Sequence, residues 1–125
     1  MSMNRKFSRR NMLKSTVGIA GLGAMASAIP GGSAFAAGLT VGFIYVGAKD
    51  DFGYNQAHAE GAAAVKAMPG VTVIEEESVA ETVNVQKSMA SMINFDNAKL
   101  IFPTSYGYFD PHVLAVAKKY PEIRF

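Results

Sequence analysis

Two short segments of this chain hold the residue types that suit the binding of a small molecule. The first segment places carboxylates, aromatic rings and an amide directly after an apolar run: Asp50, Asp51, Phe52, Tyr54 and Asn55. Carboxylates accept hydrogen bonds, the amide both donates and accepts them, and aromatic rings stack on flat surfaces. This loop can therefore accept, donate and stack within one short turn.

The second segment follows residues 99–102, which are predicted to form a short buried strand. It places hydroxyl groups, an aromatic ring and a glycine in succession: Thr104, Ser105, Tyr106 and Gly107. Asp110 comes next and precedes Pro111, a pattern that most simply makes Asp110 the N-cap of the following helix. Contact between Asp110 and a ligand is the alternative. We treat this segment as a second candidate functional loop.

An α/β fold with a parallel sheet and flanking helices is predicted from the alternation of strand and helix patterns after Gly38. The run 41–46 has no polar face, which favours a parallel strand that is covered on both sides. Open sheets of this kind bind ligands at the carboxyl ends of their strands, where both candidate loops fall. The predicted elements are strands at 41–46, 71–74 and 99–102, helices at 54–68, 82–95 and 111–120, and the opening of a fourth strand at 123–125.

Tyr54 has two interpretations at this stage, because helical spacing places it on the apolar side of the first helix. That side holds Tyr54, Ala57, Gly61, Ala62, Val65 and Met68. Tyr54 either packs inward with these residues or stacks on a ligand. His58, one turn further along, is a second-tier candidate, since a lone histidine is more often a packing or surface residue.

The first 36 residues are predicted to be a signal peptide. They hold five basic residues and no acidic one, followed by an apolar run at 17–29. This run is shorter than the roughly 20 residues that span a bilayer. Ala34 and Ala36 provide the small residues that a signal peptidase reads. We expect cleavage after Ala36.

The basic part of this segment closely resembles the twin-arginine consensus S-R-R-x-F-L-K. Residues 8–14 read SRRNMLK, with Arg9 and Arg10 as the pair and Met12 in place of the usual Phe. The pattern predicts export of the folded protein to the periplasm by the twin-arginine translocase.

Removal of residues 1–36 leaves seven basic and ten acidic residues, a net charge of −3, although the whole chain carries +2. Nucleic acid is therefore not an expected partner, since binding to phosphates needs a basic surface. The chain has no cysteine. This excludes disulfides, thiolate metal sites and a lipid-modified cysteine, so the mature protein is expected to have no lipid anchor. The sequence predicts no cofactor and no metal site, and the run 75–77 of glutamates is interpreted as a solvated strand end.

The two loops also carry a family resemblance. The pattern D-D-x-x-[FY]-N-Q-x-x-x-E-G after the first strand and T-S-[FY]-G-[FY]-x-D-P after the third resembles the basic membrane protein family. These are substrate-binding proteins of ABC importers, and many are purine nucleoside receptors. The matching residues are Asp50, Asp51, Tyr54, Asn55, Gln56, Glu60, Gly61, Thr104, Ser105, Tyr106, Gly107, Asp110 and Pro111.

The resemblance implies the first lobe of a type I periplasmic binding protein, with both loops facing the ligand cleft. It implies a solute-binding component without enzymatic activity, a membrane permease as partner, and a purine nucleoside or base as ligand. A sugar or another small polar solute is the alternative ligand. Because the sequence ends at Phe125 before a closing element, residues 37–125 are expected to form an incomplete lobe within a longer protein.

On this interpretation Tyr54 and Tyr106 are the aromatic walls around a base. Asp51 accepts from ribose hydroxyls or an amine, and Asn55 binds a base edge. Ser105 and the backbone near Gly107 bind polar ligand atoms. Asp50, Phe52 and Thr104 complete the second tier of candidates.

Three other classes of protein are weaker alternatives. A nucleoside-processing enzyme would use Asp51, His58 and Ser105 as a triad, but Ser105 lacks a glycine-flanked nucleophile turn. A phosphate-accepting receiver domain would need an aspartate after the third strand, where Pro103 and Thr104 stand. A metal-binding protein would need a closed set of ligands, which two distant histidines do not provide.

Overall fold

Three parallel strands form the sheet of this protein, whose computed structural model describes residues 38–125. Strands β1 (Leu39–Ile44), β2 (Val71–Glu76) and β3 (Leu100–Pro103) are ordered β2-β1-β3. Leu39 pairs with Val71 and Val41 pairs with Leu100, which sets the register on both sides of β1. The predicted fourth strand is confirmed as a parallel bridge between Leu100 and Arg124. The predicted α/β parallel sheet is confirmed.

In the described part of the chain, three α-helices connect and cover the strands: α1 (Tyr54–Lys66), α2 (Val83–Asn94) and α3 (Leu114–Lys119). Thr82 caps α2, because its hydroxyl accepts a hydrogen bond from the backbone N–H of Asn84 at 3.3 Å. Among residues 38–125, no helix combines the length and apolar character that crossing a membrane requires.

The sheet is covered on both faces, as the uninterrupted apolar run of β1 predicts. On one face Val41, Phe43 and Tyr45 pack with Ala62 of α1. On the other face the core is formed by residues of β1, β3, α2, α3 and the loops between them: Ile44, Val79, Val85, Met89, Met92, Ile93, Ala98, Ile101, Tyr108, Val116 and Ile123. Burial of each large side chain contributes roughly 1.5 to 3 kcal/mol to stability. The two cores therefore stabilise the sheet whose strand ends carry the candidate loops.

The predicted inward face of the first helix is right in part. Ala62 is buried and Val65 packs against the same core, as predicted, whereas Tyr54 is 55% exposed and Met68 is 48% exposed. The buried face also includes Asn55, whose polar contacts are described below.

The predicted start of the third helix at Asp110 and Pro111 agrees with the backbone geometry. A 3-10 turn (Tyr106–Tyr108) comes first, and the chain is kinked at Asp110, which has extended angles, φ −116° and ψ 120°, as an N-cap residue does. Beyond this kink the helical turn within Phe109–Val113 continues into regular α3 at Leu114.

Candidate functional site

The loops that follow β1 and β3 meet at the carboxyl edge of the sheet. The backbone N–H and the hydroxyl of Thr104 both donate to the carbonyl oxygen of Ile44, each at 3.0 Å. The hydroxyl of Tyr54 donates to the carbonyl oxygen of Thr104. The two segments that the sequence identified as functional loops are therefore in direct contact.

Asp51 organises the first loop by capping α1. Its Oδ1 accepts from the backbone N–H of Gly53 at 2.9 Å and of Gln56 at 3.0 Å. Its Oδ2 accepts from the backbone N–H of Asn55 at 3.0 Å and from Asn55 Nδ2 at 2.8 Å. The hydrogen bonds from Gln56 and Asn55 lower the pKa of Asp51 from 3.8 to about 2. A carboxylate has about four lone-pair sites, and the loop fills them.

Asn55 is buried and locked by the same network. Its Nδ2 donates to Asp51, and its Oδ1 accepts from the backbone N–H of Gly47 at 3.3 Å. A Cβ atom on Gly47 would lie 2.7 Å from Asn55 Nδ2, so the close approach depends on glycine. Both polar ends of the Asn55 amide are therefore engaged inside the protein.

Aromatic side chains project from this edge with little cover. Phe52 is 94% exposed, Tyr106 is 95% exposed, and Tyr54 keeps half of its surface accessible. Phe52 has φ 56°, a left-handed conformation that a bulky residue rarely adopts and that is found at ligand-binding loops. The His58 ring meets the Tyr54 ring edge-on, with 4.7 Å between centroids. His58 therefore supports Tyr54 from the helix side.

The loop between β2 and α2 is a third component of the site, and the sequence did not reveal it. Oε1 of Glu81 accepts from the hydroxyl of Ser105 and, at 3.2 Å, from the backbone N–H of Gly107. The hydroxyl of Tyr108 donates to the carbonyl of Val79 at 2.6 Å. Burial and the charges of Glu81 and Glu76 raise the pKa of Tyr108 to about 12. Because the strands are parallel, the loop after β2 lies at the same sheet edge as the other two loops. The predicted strand order could therefore have identified this loop as part of the site.

The glutamates at the end of β2 hold neighbouring elements, whereas the sequence suggested only a solvated strand end. Glu75 accepts from the hydroxyl of Tyr45 at 3.0 Å and pairs with Lys49 Nζ at 3.5 Å. Glu77 accepts from the backbone N–H of Lys49 at 3.1 Å. The pKa of Tyr45 is raised, mainly by burial and next by the hydrogen bond to Glu75. These contacts fasten the first loop to the edge strand.

Two further candidate residues predicted from the sequence, Asp50 and Asp110, have exposed side chains. Asp50 lies beside Asp51, and Asp110 lies in the turn before α3. The triad of the enzyme hypothesis is not assembled, because Ser105 bonds Glu81, Asp51 caps α1 and His58 packs on Tyr54. Arg9, Arg10, Ala34 and Ala36 lie outside the described residues.

The chain is similar in sequence to proteins of known family. A family model described as ABC transporter substrate-binding protein PnrA-like matches residues 39–125. A purine-binding protein of Brucella abortus strain 2308 is 40% identical over 89 residues, which is 70% of this chain and 25% of that protein. The chain thus spans about a quarter of the length of this curated relative.

A solved structure shares the fold. It is an ABC transporter system solute-binding protein from Conexibacter woesei DSM 14684, with a TM-score of 0.57 and 21% sequence identity. The likeness covers 68% of this chain and 27% of that chain.

Proposed function

Because the chain belongs to the PnrA-like family of ABC transporter substrate-binding proteins, we propose that it is part of an extracytoplasmic solute-binding protein for a purine nucleoside or base. The purine assignment is supported by the name of the relative with 40% identity. The matched proteins are solute-binding proteins rather than enzymes. A membrane permease of an ABC importer is then the partner that receives the ligand.

The observation that carries this proposal is the contact between Tyr54 and the backbone of Thr104. It joins the loops after β1 and β3 into one surface at the carboxyl ends of the strands. Ligands of open α/β sheets bind at this edge. The surface combines exposed aromatic rings with hydroxyl and backbone groups, which suits a flat base bearing polar edges.

We assign the rings of Phe52, Tyr54 and Tyr106 to stacking on the base. Ser105, Thr104 and the backbone near Gly107 provide polar contacts, and Asp110 and Asp50 remain candidates at the rim. For Asp51 and Asn55 the hydrogen bonds favour a supporting role, because their polar atoms are already engaged. They hold Tyr54 at the start of α1 and so orient its ring.

The export route is part of the same proposal. Residues 1–36 serve as a twin-arginine signal peptide, recognised through Arg9 and Arg10 and cleaved after Ala36. Residues 37–125 belong to the first lobe of the binding protein, which acts in the periplasm without a lipid anchor.

A thermal-shift screen of the full-length protein tests the ligand class. A ligand that binds only the folded state raises the melting temperature as its concentration increases. We expect purine nucleosides or bases to raise it and sugars and amino acids to leave it unchanged. Stabilisation by a sugar alone would overturn the purine assignment.

A further inference from the structure

Glu81 holds the turn that presents the most exposed tyrosine of the site. Its Oε1 accepts hydrogen bonds from the hydroxyl of Ser105 and from the backbone N–H of Gly107. These two donors flank Tyr106, whose side chain is 95% exposed. One carboxylate oxygen thus fixes both ends of the turn 105–107, although Glu81 itself lies in a different loop.

The Glu81 carboxylate occupies the space that a side chain at residue 107 would need. A Cβ atom on Gly107 would lie 2.6 Å from each carboxylate oxygen of Glu81, closer than such atoms can approach. The backbone of Gly107 does not have a positive φ, so conformational freedom does not explain the glycine. A side chain at residue 107 would therefore force the Glu81 carboxylate to shift away from the turn, which would weaken its hydrogen bonds with Ser105 and Gly107.

The bond also limits what Ser105 can offer to a ligand. Its hydroxyl proton is committed to Glu81, which leaves the oxygen lone pairs of Ser105 for other partners. A ligand group that meets Ser105 must then be a donor, such as a hydroxyl or an amine.

We infer that Glu81 is a positioning residue of the proposed purine site: its carboxylate fixes the turn 105–107, orients the Tyr106 ring towards the base, and makes Ser105 an acceptor. This inference rests on the proposed function. Glu81 acts through the turn and does not touch the ligand.

Calorimetric titration of the full-length protein with adenosine, guanosine, inosine and their bases tests the role in binding. Glu81→Ala should weaken the affinity about tenfold, as expected for loss of hydrogen bonds to a charged group. Glu81→Gln should bind almost as wild type, because its amide oxygen can accept both bonds. Gly107→Ala should weaken binding as Glu81→Ala does, and the double variant should bind no worse than either single variant. Asp96→Ala, an exposed acidic residue beyond α2, is the control and should bind as wild type.

Hydrogen exchange without ligand tests the turn itself. The amide of Gly107 should exchange faster in Glu81→Ala than in wild type, and at the wild-type rate in Glu81→Gln and Asp96→Ala. If wild type binds a purine and Glu81→Ala binds equally well, the positioning role is wrong while the proposed function stands. If Glu81→Gln loses affinity but keeps slow exchange at Gly107, Glu81 contacts the ligand directly and the inference is overturned. If wild type binds none of the three nucleosides and none of their bases, the proposed function fails, and the positioning role at a purine site fails with it.

Discussion

The hydroxyl of Tyr54 donates a hydrogen bond to the backbone carbonyl of Thr104, which ties the first residue of α1 to the loop after β3. These residues are far apart in sequence, yet each follows a strand of the same parallel sheet. The bond fixes the edge of the Tyr54 ring and leaves part of its face open to solvent. Tyr54 is therefore both a link between the two loops and a surface for stacking.

Two substitutions at Tyr54 separate these roles. Tyr54→Ala removes the ring and should weaken purine nucleoside binding to the full-length protein by about 1 to 3 kcal/mol, the range for base stacking on aromatic rings. Tyr54→Phe keeps the ring and loses the bond to Thr104, so it should cost about 0.5 to 1.5 kcal/mol. Calorimetric titration measures both. Tyr120→Phe, which alters a hydroxyl contact with Asn94 on another part of the fold, is the control. Equal affinities for wild type and Tyr54→Ala would exclude stacking on Tyr54.

Asp51 should make stability depend on pH in the acid range. Its pKa in the folded protein is about 2, below the ordinary value of 3.8, because backbone hydrogen bonds favour the charged form. Its contribution is therefore fully present above pH 3.8 and is lost as the pH falls towards 2. Urea unfolding at about pH 7 should show Asp51→Asn to be less stable than wild type, and the difference should shrink near pH 2. Asp50→Asn is the matched control and should follow wild type at each pH. A difference between Asp51→Asn and wild type that stays constant throughout the acid range would contradict the capping role.

Gly47 and Gly61 should respond in opposite ways to alanine. Gly47→Ala brings a Cβ atom to 2.7 Å from Asn55 Nδ2 and should destabilise the protein by about 1 to 3 kcal/mol through displacement of this buried amide. Gly61 lies in α1, and a Cβ atom added there would meet nothing within 4 Å, so Gly61→Ala should stabilise by about 0.5 to 1 kcal/mol. Urea midpoints compare the two variants. Stability of Gly47→Ala at or above the wild-type value would show that the Asn55 contact is dispensable.

Export should depend on the arginine pair. Replacement of Arg9 and Arg10 by lysine should leave the precursor in the cytoplasm, because the twin-arginine route reads this pair. N-terminal sequencing of wild-type exported protein should begin at Ala37. Normal periplasmic yield of the double lysine variant, measured by cell fractionation, would exclude the twin-arginine route.

The sheet was predictable from sequence because its signals are local. The apolar run around Phe43 and Ile44 indicates a strand covered on both faces, and the pair Pro69 and Gly70 ends the first helix region. The carboxyl-edge position of the loops follows from the alternation of strands and helices. None of these features requires knowledge of contacts between distant residues.

The arrangement of side chains within the site was not predictable, because it depends on contacts between residues that are distant in sequence. Glu81 has no motif around it, and its role depends on Ser105 and Gly107, which only the folded sheet brings near. Asp51 has the same carboxylate whether it caps a helix or binds a ligand, and the geometry of the nearby N–H groups decides between these roles. The inward face of α1 was predicted only in part, because the polar residue Asn55 is anchored inside together with Ala62 while Tyr54 is exposed.

The central claim is that this edge of the sheet is one wall of a purine site. Calorimetric titration of the full-length wild-type protein with adenosine, guanosine, inosine and their bases tests it most directly, with ribose, glucose and amino acids as comparison ligands. We predict saturable heat with at least one purine nucleoside or base and none with the comparison ligands. Saturable heat with a sugar or an amino acid and no heat with any purine would contradict the claim.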